Sequence, residues 1–329
     1  MAPASNGAAA RYAIVGGAGF LGSHFTDALL ADPKIEAVTL YDNFSSGREW
    51  HFEHHRGDSR LRVVRGDAGE IDRLTGALKG HDVAIHLASN PDIARAAREP
   101  EVDFYQGTML TNNVVEAMRR AGVPRIMYAS GSGVYGDLGE IEAHEDYGPL
   151  VPVSTYGASK LAGEALISSY CHMFDMTGCA FRFGNVIGPR QTHGVGLDFV
   201  RRLKADPSQL SILGDGRQSK SYIHCTDVVA AVLHANRNCA KRFEAFNVAT
   251  GDYITVTEIA KLAVECLGLK VHPRFEYSGG DRGWKGDVPI VRLNTDRIRK
   301  LGWACKHTAR EAMRAALLAL IEDDRTSRA

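Results

Sequence analysis

Arg11-Tyr12-Ala13-Ile14-Val15-Gly16-Gly17-Ala18-Gly19-Phe20-Leu21-Gly22 is the stretch that decides the fold. Its first five residues form a short apolar run suited to a buried strand. The glycines follow at once, and beyond them Phe20, Leu21, Phe25, Leu29 and Leu30 recur at helical spacing. Strand, glycine turn and helix in that order make a dinucleotide fingerprint. Gly16 permits the tight turn, Gly19 lets the backbone approach a pyrophosphate, and Gly22 lets the helix close on the strand. The helix N-terminus then offers N–H groups and a positive dipole end to the phosphates. The spacing is Gly-x-x-Gly-x-x-Gly, not the Gly-x-Gly-x-x-Gly of ordinary dehydrogenases. A second strand, Ala37–Tyr41, runs into Asp42, 20 residues after Gly22. A carboxylate there accepts hydrogen bonds from the adenosine ribose and repels a 2′-phosphate. The next arginine is Arg48, so NAD is expected rather than NADP.

Tyr156-Gly157-Ala158-Ser159-Lys160 opens a second informative stretch. Tyr156, Lys160, Ala162, Ala165, Leu166, Tyr170 and Phe174 fit a helical period. Tyr156 and Lys160 are four residues apart and share a face. A free phenol has a pKa of about 10 and is a poor base at neutral pH. A neighbouring ammonium stabilises the phenolate, so Tyr156 can take a hydroxyl proton while hydride leaves the same carbon for a nicotinamide. Lys160 can also bond the nicotinamide ribose.

Strand-like runs at Leu61–Arg65, Val83–Leu87 and Arg125–Ala129 alternate with helical segments at Glu70–Leu78 and Phe104–Ala121. The expected fold is α/β, a Rossmann-type doubly wound parallel sheet with a smaller C-terminal α/β substrate domain. Residues 1–10 read as a disordered leader, 11–182 as the NAD-binding domain and 183–329 as mainly the substrate domain, with elements shared between the two. In the second part Leu197–Leu203, Thr257–Leu267 and Thr308–Ile321 read as helices, and Leu210–Leu213, Phe246–Val248 and Arg274–Tyr277 as short strands. The 329 residues carry 39 Lys plus Arg against 39 Asp plus Glu, so no nucleic-acid or membrane surface is indicated. Six cysteines without Cys-x-x-Cys spacing imply neither a disulfide framework nor a zinc site, and free thiols suit a reducing, cytoplasmic setting. His51, His54 and His55 lie close together but lack partners at ligand spacing, so they read as loop histidines and no metal is expected.

Further segments resemble the extended short-chain dehydrogenase/reductase family of nucleotide-sugar epimerases, dehydratases and decarboxylases. Gly16 to Gly22, with Phe20 and Leu21, matches its cofactor loop. Tyr41-Asp42-Asn43-Phe44-Ser45-Ser46-Gly47 is similar to its ribose segment, and Gly66-Asp67-Ala68 to the adenine-side turn. His86-Leu87-Ala88-Ser89 is similar to the strand end beside the pyrophosphate and ribose. Val134-Tyr135-Gly136, Arg182 to Arg190 and Ser221-Tyr222-Ile223-His224 with Asp227 match later motifs. The look is nearest to its UDP-glucose 4-epimerase branch. The resemblance implies bound NAD, a nucleotide-diphosphate sugar substrate and a homodimer through helices near Phe104–Ala121 and Thr155–Phe174. It also implies Ser130, Asn185, Lys220, Arg282, Lys285 and Asp287 as substrate-binding residues.

Departures from the family narrow the chemistry. The hydroxyl residue usual three positions before the Val of Val-Tyr-Gly is Gly131 here. Ser132 is therefore the expected substitute beside Tyr156 and Lys160, re-aimed by a local bulge. Positions where the family's dehydratases and decarboxylases carry acids hold Ser132 and Gly133. The expected activity is 4-epimerisation through a transient 4-keto sugar. The alternatives are net 4-dehydrogenation with release of the ketone and a catalytically weak NAD-binding regulator or scaffold.

Overall fold

The computed structural model describes residues 11–323; the expected leader at 1–10 lies outside them. The chain divides into two compact units that interleave along the sequence. The first holds the described chain up to Val134, together with Thr155–Arg182 and Val229–Phe246. The second holds Tyr135–Ser154, Phe183–Val228 and the described chain from Asn247.

The first unit is built on a seven-stranded sheet. Its elements are β1 (Arg11–Val15), α1 (Phe20–Leu30), β2 (Ala37–Asp42), β3 (Leu61–Arg65), α2 (Ile71–Leu78), β4 (Val83–His86), α3 (Leu110–Ala121), β5 (Arg125–Gly131), α4 (Thr155–Met173) and β6 (Thr177–Phe183). The spatial order is β3-β2-β1-β4-β5-β6, closed by the strand Phe243–Val248. β1 pairs in parallel with β2 and β4, β2 with β3, and β4 with β5. The order reverses between β1 and β4, which puts the switch point of a doubly wound sheet beside the glycine loop. Inner strands are buried on both faces: β4 is buried throughout and β1 beyond Arg11. The edge strand β3 is half exposed and carries Arg62 and Arg65, charges that discourage pairing with another chain. Val15, Tyr41, Leu74, Val114, Met118, Ile126, Tyr128 and Ile167 belong to one apolar core.

Gly22 fixes how closely α1 sits on the loop. A Cβ there would lie 2.4 Å from the Gly17 carbonyl oxygen and 2.7 Å from its Cα. That obstacle is backbone and cannot swing aside. Gly22→Ala is expected to lower stability by about 3 kcal/mol, read as a shifted denaturant midpoint at unchanged slope. An unaltered midpoint would contradict the packing described.

Phe104–Met109 winds as a π-helical turn before α3 begins at Leu110, where a single helix from Phe104 was expected. Gly107 in that turn approaches α4 so closely that a Cβ would meet Ser159 Oγ at 2.6 Å. Strand β6 was not anticipated. The second unit packs the helices Val195–Ala205, Val256–Cys266 and Ala309–Glu322 around Leu203, Leu210, Ile259, Leu262, Met313 and Leu317. Two of these helices start with a full capping box, Thr255 with Glu258 and Thr308 with Glu311. Gln209–Ile212 pairs in parallel with Arg274–Tyr277. Among the described residues no helix is long and apolar enough to cross a membrane.

Candidate active site

The glycine loop joins β1 to α1. Gly16 has φ +85°, and a Cβ on it would lie 2.7 Å from the Ala88 nitrogen and 2.9 Å from its Cα. Only glycine lets the loop pass the end of β4 this closely. Leu87 and Ala88 donate their N–H groups to the Val15 carbonyl at 2.8 and 3.0 Å, which ties the two strand ends together. Gly19 precedes α1 without a side-chain cap, so the first-turn N–H groups, including those of Phe20 and Leu21, are left for an anion.

Asp42 ends β2 and is buried. Its Oδ2 accepts from Ala18 N at 2.9 Å and its Oδ1 from Phe44 N at 2.7 Å, so the carboxylate holds the glycine loop in place. Burial raises its pKa, against the lowering effect of those two N–H bonds and the Arg65 charge. A carboxylate offers about four acceptor positions, and two remain for ribose hydroxyls. A Cβ on Gly47 would stand 2.8 Å from Asp42 Oδ1. Asn43 Nδ2 donates to Asp67 Oδ2 at 2.8 Å, and Asn43 Oδ1 accepts from Ser45 N at 3.0 Å. Asp67 also accepts from Gly69 N at 2.7 Å, and the Tyr41 hydroxyl donates to its carbonyl at 2.8 Å. Ala68 is buried beside them. Gly16 to Gly22, Asp42 to Gly47 and Asp67–Ala68 thus form one continuous rim in the first unit.

Tyr156 and Lys160 lie in the first two turns of α4. Helix α4 is pressed onto β5, where a Cβ on Gly163 would meet the Tyr128 hydroxyl at 2.4 Å. Lys160 is buried and its Nζ donates to the Ala129 carbonyl at 2.8 Å, with the rings of Tyr128 and Tyr156 centred 5.3 and 5.4 Å away. Burial pulls its pKa down to about 8, and the Asp103 carboxylate opposes that shift. The Tyr156 phenol is pushed up to about 12 by burial and by Asp103, while a hydrogen bond with the Ser89 side chain acts the other way. This differs from the expectation that the lysine charge lowers the phenol. The ammonium is engaged with the Ala129 carbonyl, and desolvation by burial is the largest cause of the phenol's shift.

Sequence spacing missed two of these groups. Ser89 was assigned only to the cofactor, yet its side chain reaches Tyr156. Asp103 belongs to no motif, but it is buried and accepts from Asn90 Nδ2 at 2.9 Å and Thr155 Oγ1 at 2.7 Å. His86, at the end of β4, is held neutral by burial, its pKa lowered to about 3, with Nε2 3.0 Å from Thr111 Oγ1.

The expected substrate groups are distributed over both units. Ser130 is buried and donates to Glu164 Oε1 at 2.6 Å, so its proton is committed to α4 and its oxygen can only accept from a substrate. Ser132 opens the 3-10 turn Ser132–Tyr135 after β5 and is half-buried. In the second unit Lys220 Nζ contacts Asp287 Oδ1 at 2.6 Å, and Arg282 donates to the Asp287 carbonyl at 2.5 Å and to Asp137 Oδ2 at 2.6 Å. Lys285 is exposed on the same loop. Asn185, in the strand Asn185–Ile187, reaches Tyr222 with its side chain.

A buried ammonium without a carboxylate in contact is a liability for folding. Its folded pKa, about 8, lies below the unfolded value of about 10.4. The unfolded chain therefore holds the proton more tightly, and the penalty is complete below pH 8 and fades as pH rises towards about 10. Lys160→Met is expected to be more stable than the wild type by about 1–3 kcal/mol at neutral pH while losing activity. Melting temperatures across that range check the sign, and a variant that melts lower at neutral pH would contradict it.

The sequence profile of the NAD dependent epimerase/dehydratase family matches residues 12–249. The UDP-glucose 4-epimerase of Mycolicibacterium smegmatis is 32% identical over 301 residues, which are 89% of this chain and 93% of that protein. The chain belongs to the NAD-dependent epimerase/dehydratase family. A crystal structure of a UDP-galactose 4-epimerase superposes with a TM-score of 0.83 at 35% identity, covering 94% of this chain and 98% of that one. That of the Thermus thermophilus UDP-glucose 4-epimerase in complex with NAD gives 0.83 at 28% identity, covering 94% and 98%. NAD is the cofactor of this family member. Its own residues fit the group: the Gly16 and Gly22 positions leave no room for a Cβ, α1 begins without a side-chain cap, and Asp42 retains acceptor positions.

Proposed function

We propose that this chain is a nucleotide-sugar 4-epimerase working through a transient 4-keto sugar. The observation that carries the reading is the Tyr156 phenol one helical turn from the buried Lys160, whose Nζ lies 5.4 Å from the Tyr156 ring centre. NAD, when bound, supplies the hydride acceptor at C4, the hydride that later returns, and a positively charged ring. Tyr156 takes the C4 hydroxyl proton and gives it back on the other face of the sugar. Lys160 carries three N–H donors; one is on Ala129, and two serve the phenolate and the nicotinamide ribose. Ser132 orients the reacting hydroxyl, since Gly131 has no side chain to do so. Absence of a carboxyl group at Ser132 and Gly133 argues against dehydration, which needs an acid for the leaving hydroxyl.

Asn185, Lys220, Arg282 and Lys285 are assigned to the diphosphate, with Asp287 holding Lys220 and Arg282 in place. A homodimer is assigned to the face of the π turn, where Phe104 and Tyr105 are more than half exposed.

The test is a panel of UDP-, GDP-, dTDP- and CDP-sugars, with products identified by mass spectrometry and NMR. A C4 epimer formed without added NAD supports the proposal. Accumulation of reduced coenzyme and a released ketone would replace it with net dehydrogenation. No turnover on any sugar, despite bound NAD, would leave a regulator or scaffold.

A further inference from the structure

Asp27, on the outer side of α1, meets two histidines that arrive from one short 3-10 turn, Glu53–His55, after β2. Its Oδ1 lies 2.8 Å from His54 Nε2 and 2.7 Å from His55 Nε2. The three ligand atoms all lie within 4.8 Å of one another. His24, one helical turn before Asp27, puts Nδ1 4.0 Å from Asp27 Oδ2 and is largely buried against Phe20. Asp27, His54 and His55 keep 35%, 49% and 21% of their side-chain surface open to solvent, so an ion can reach them. Linear spacing hid the arrangement, because the carboxylate comes from a helix 27 residues upstream of His54.

We propose that Asp27, His54 and His55, with His24 beside them, form a binding site for a divalent transition ion of the zinc type. Two imidazoles and one carboxylate are a borderline nitrogen–oxygen donor set, suited to zinc and poor for magnesium or calcium. Zinc–donor bonds of about 2.0–2.1 Å in tetrahedral geometry separate neighbouring donors by roughly 3.3 Å. The present 2.7–2.8 Å contacts would open by about 0.5 Å to admit the ion at that spacing. Each imidazole then ligates through Nε2 with its proton on Nδ1. His24 or water completes the coordination. The ion would clasp α1, which carries the glycine loop at its start, to the segment that follows Asp42. Its expected effect is on the stability of that corner and not on the chemistry at Tyr156.

The experiment uses tag-free full-length chain, stripped with chelator and dialysed against buffered micromolar zinc sulfate. Metal analysis should find about one more equivalent of zinc in the wild type than in the His54→Gln/His55→Gln variant. Zinc should raise the wild-type melting temperature and leave the variant's unmoved. The difference removes any zinc held by cysteines. Should the double variant fail to fold, the half-exposed His54→Gln change decides by the same two readouts. Equal zinc content in wild type and variant, including none in either, overturns the site and leaves a histidine pair hydrogen-bonded to Asp27.

Discussion

Tyr156→Phe is expected to turn over substrate about 10²–10⁴-fold more slowly than the wild type, the range lost with a positioned acid–base group. The change removes one oxygen atom. The glycine loop, Asp42 and the Asn43–Asp67 bond are untouched, so NAD retention should be the same in both proteins. Stability should hold as well, because Tyr156 is only half-buried and the change keeps its ring in place. Steady-state kinetics with coenzyme content measured on the same preparation separate the two effects. Full turnover in the variant would remove the phenol from the mechanism, and loss of NAD would make the residue structural.

Arg182→Met is expected to destabilise the chain by about 3–5 kcal/mol. Arg182 and Glu164 are both about 5% exposed, with Nη2 2.7 Å from Oε2 and Nε 3.0 Å from Oε1. Ser130 adds a third bond to the same carboxylate. Deleting the guanidinium leaves a buried negative charge with a single hydroxyl for compensation, and that penalty exceeds the worth of the intact pair. Adding Glu164→Met should recover most of the loss, since a pair of apolar side chains in place of a buried ion pair is often neutral or better. Denaturant melts of the single and double variants form the cycle. A single variant as stable as the wild type would mean that the carboxylate is not buried as described.

The first half of the fold was legible because its signals are local. Leu61–Arg65 is observed with the expected bounds, and Ala37–Tyr41, Val83–Leu87 and Arg125–Ala129 differ from the strands observed by one or two residues. The helix Cys225–Asn238 and the strand Thr177–Phe183 were not read. Buried strand and helix segments lack the contrast between apolar and polar faces that periodicity needs. Strands of two or three residues, such as Ser219–Lys220 and Tyr222–His224, are too short to show a period at all. At the site, Tyr156, Lys160 and the glycines stood out because each motif fits within seven residues. Asp103, just before the π turn, meets Asn90 after β4 and Thr155 at the start of α4 only in the folded chain, and no linear spacing encodes that. The sign of the phenol's shift was missed for the same reason: burial is a property of the packed site, and it is the largest cause of the rise.

The most direct test of the central claim is the fate of a deuterium placed at C4 of whichever nucleotide sugar the chain turns over. If Tyr156 moves the proton while the hydride goes to NAD and comes back, the C4 epimer retains its deuterium and the solvent receives none. An epimer whose label has exchanged with water, or a product still carrying its original C4 configuration, would contradict the account.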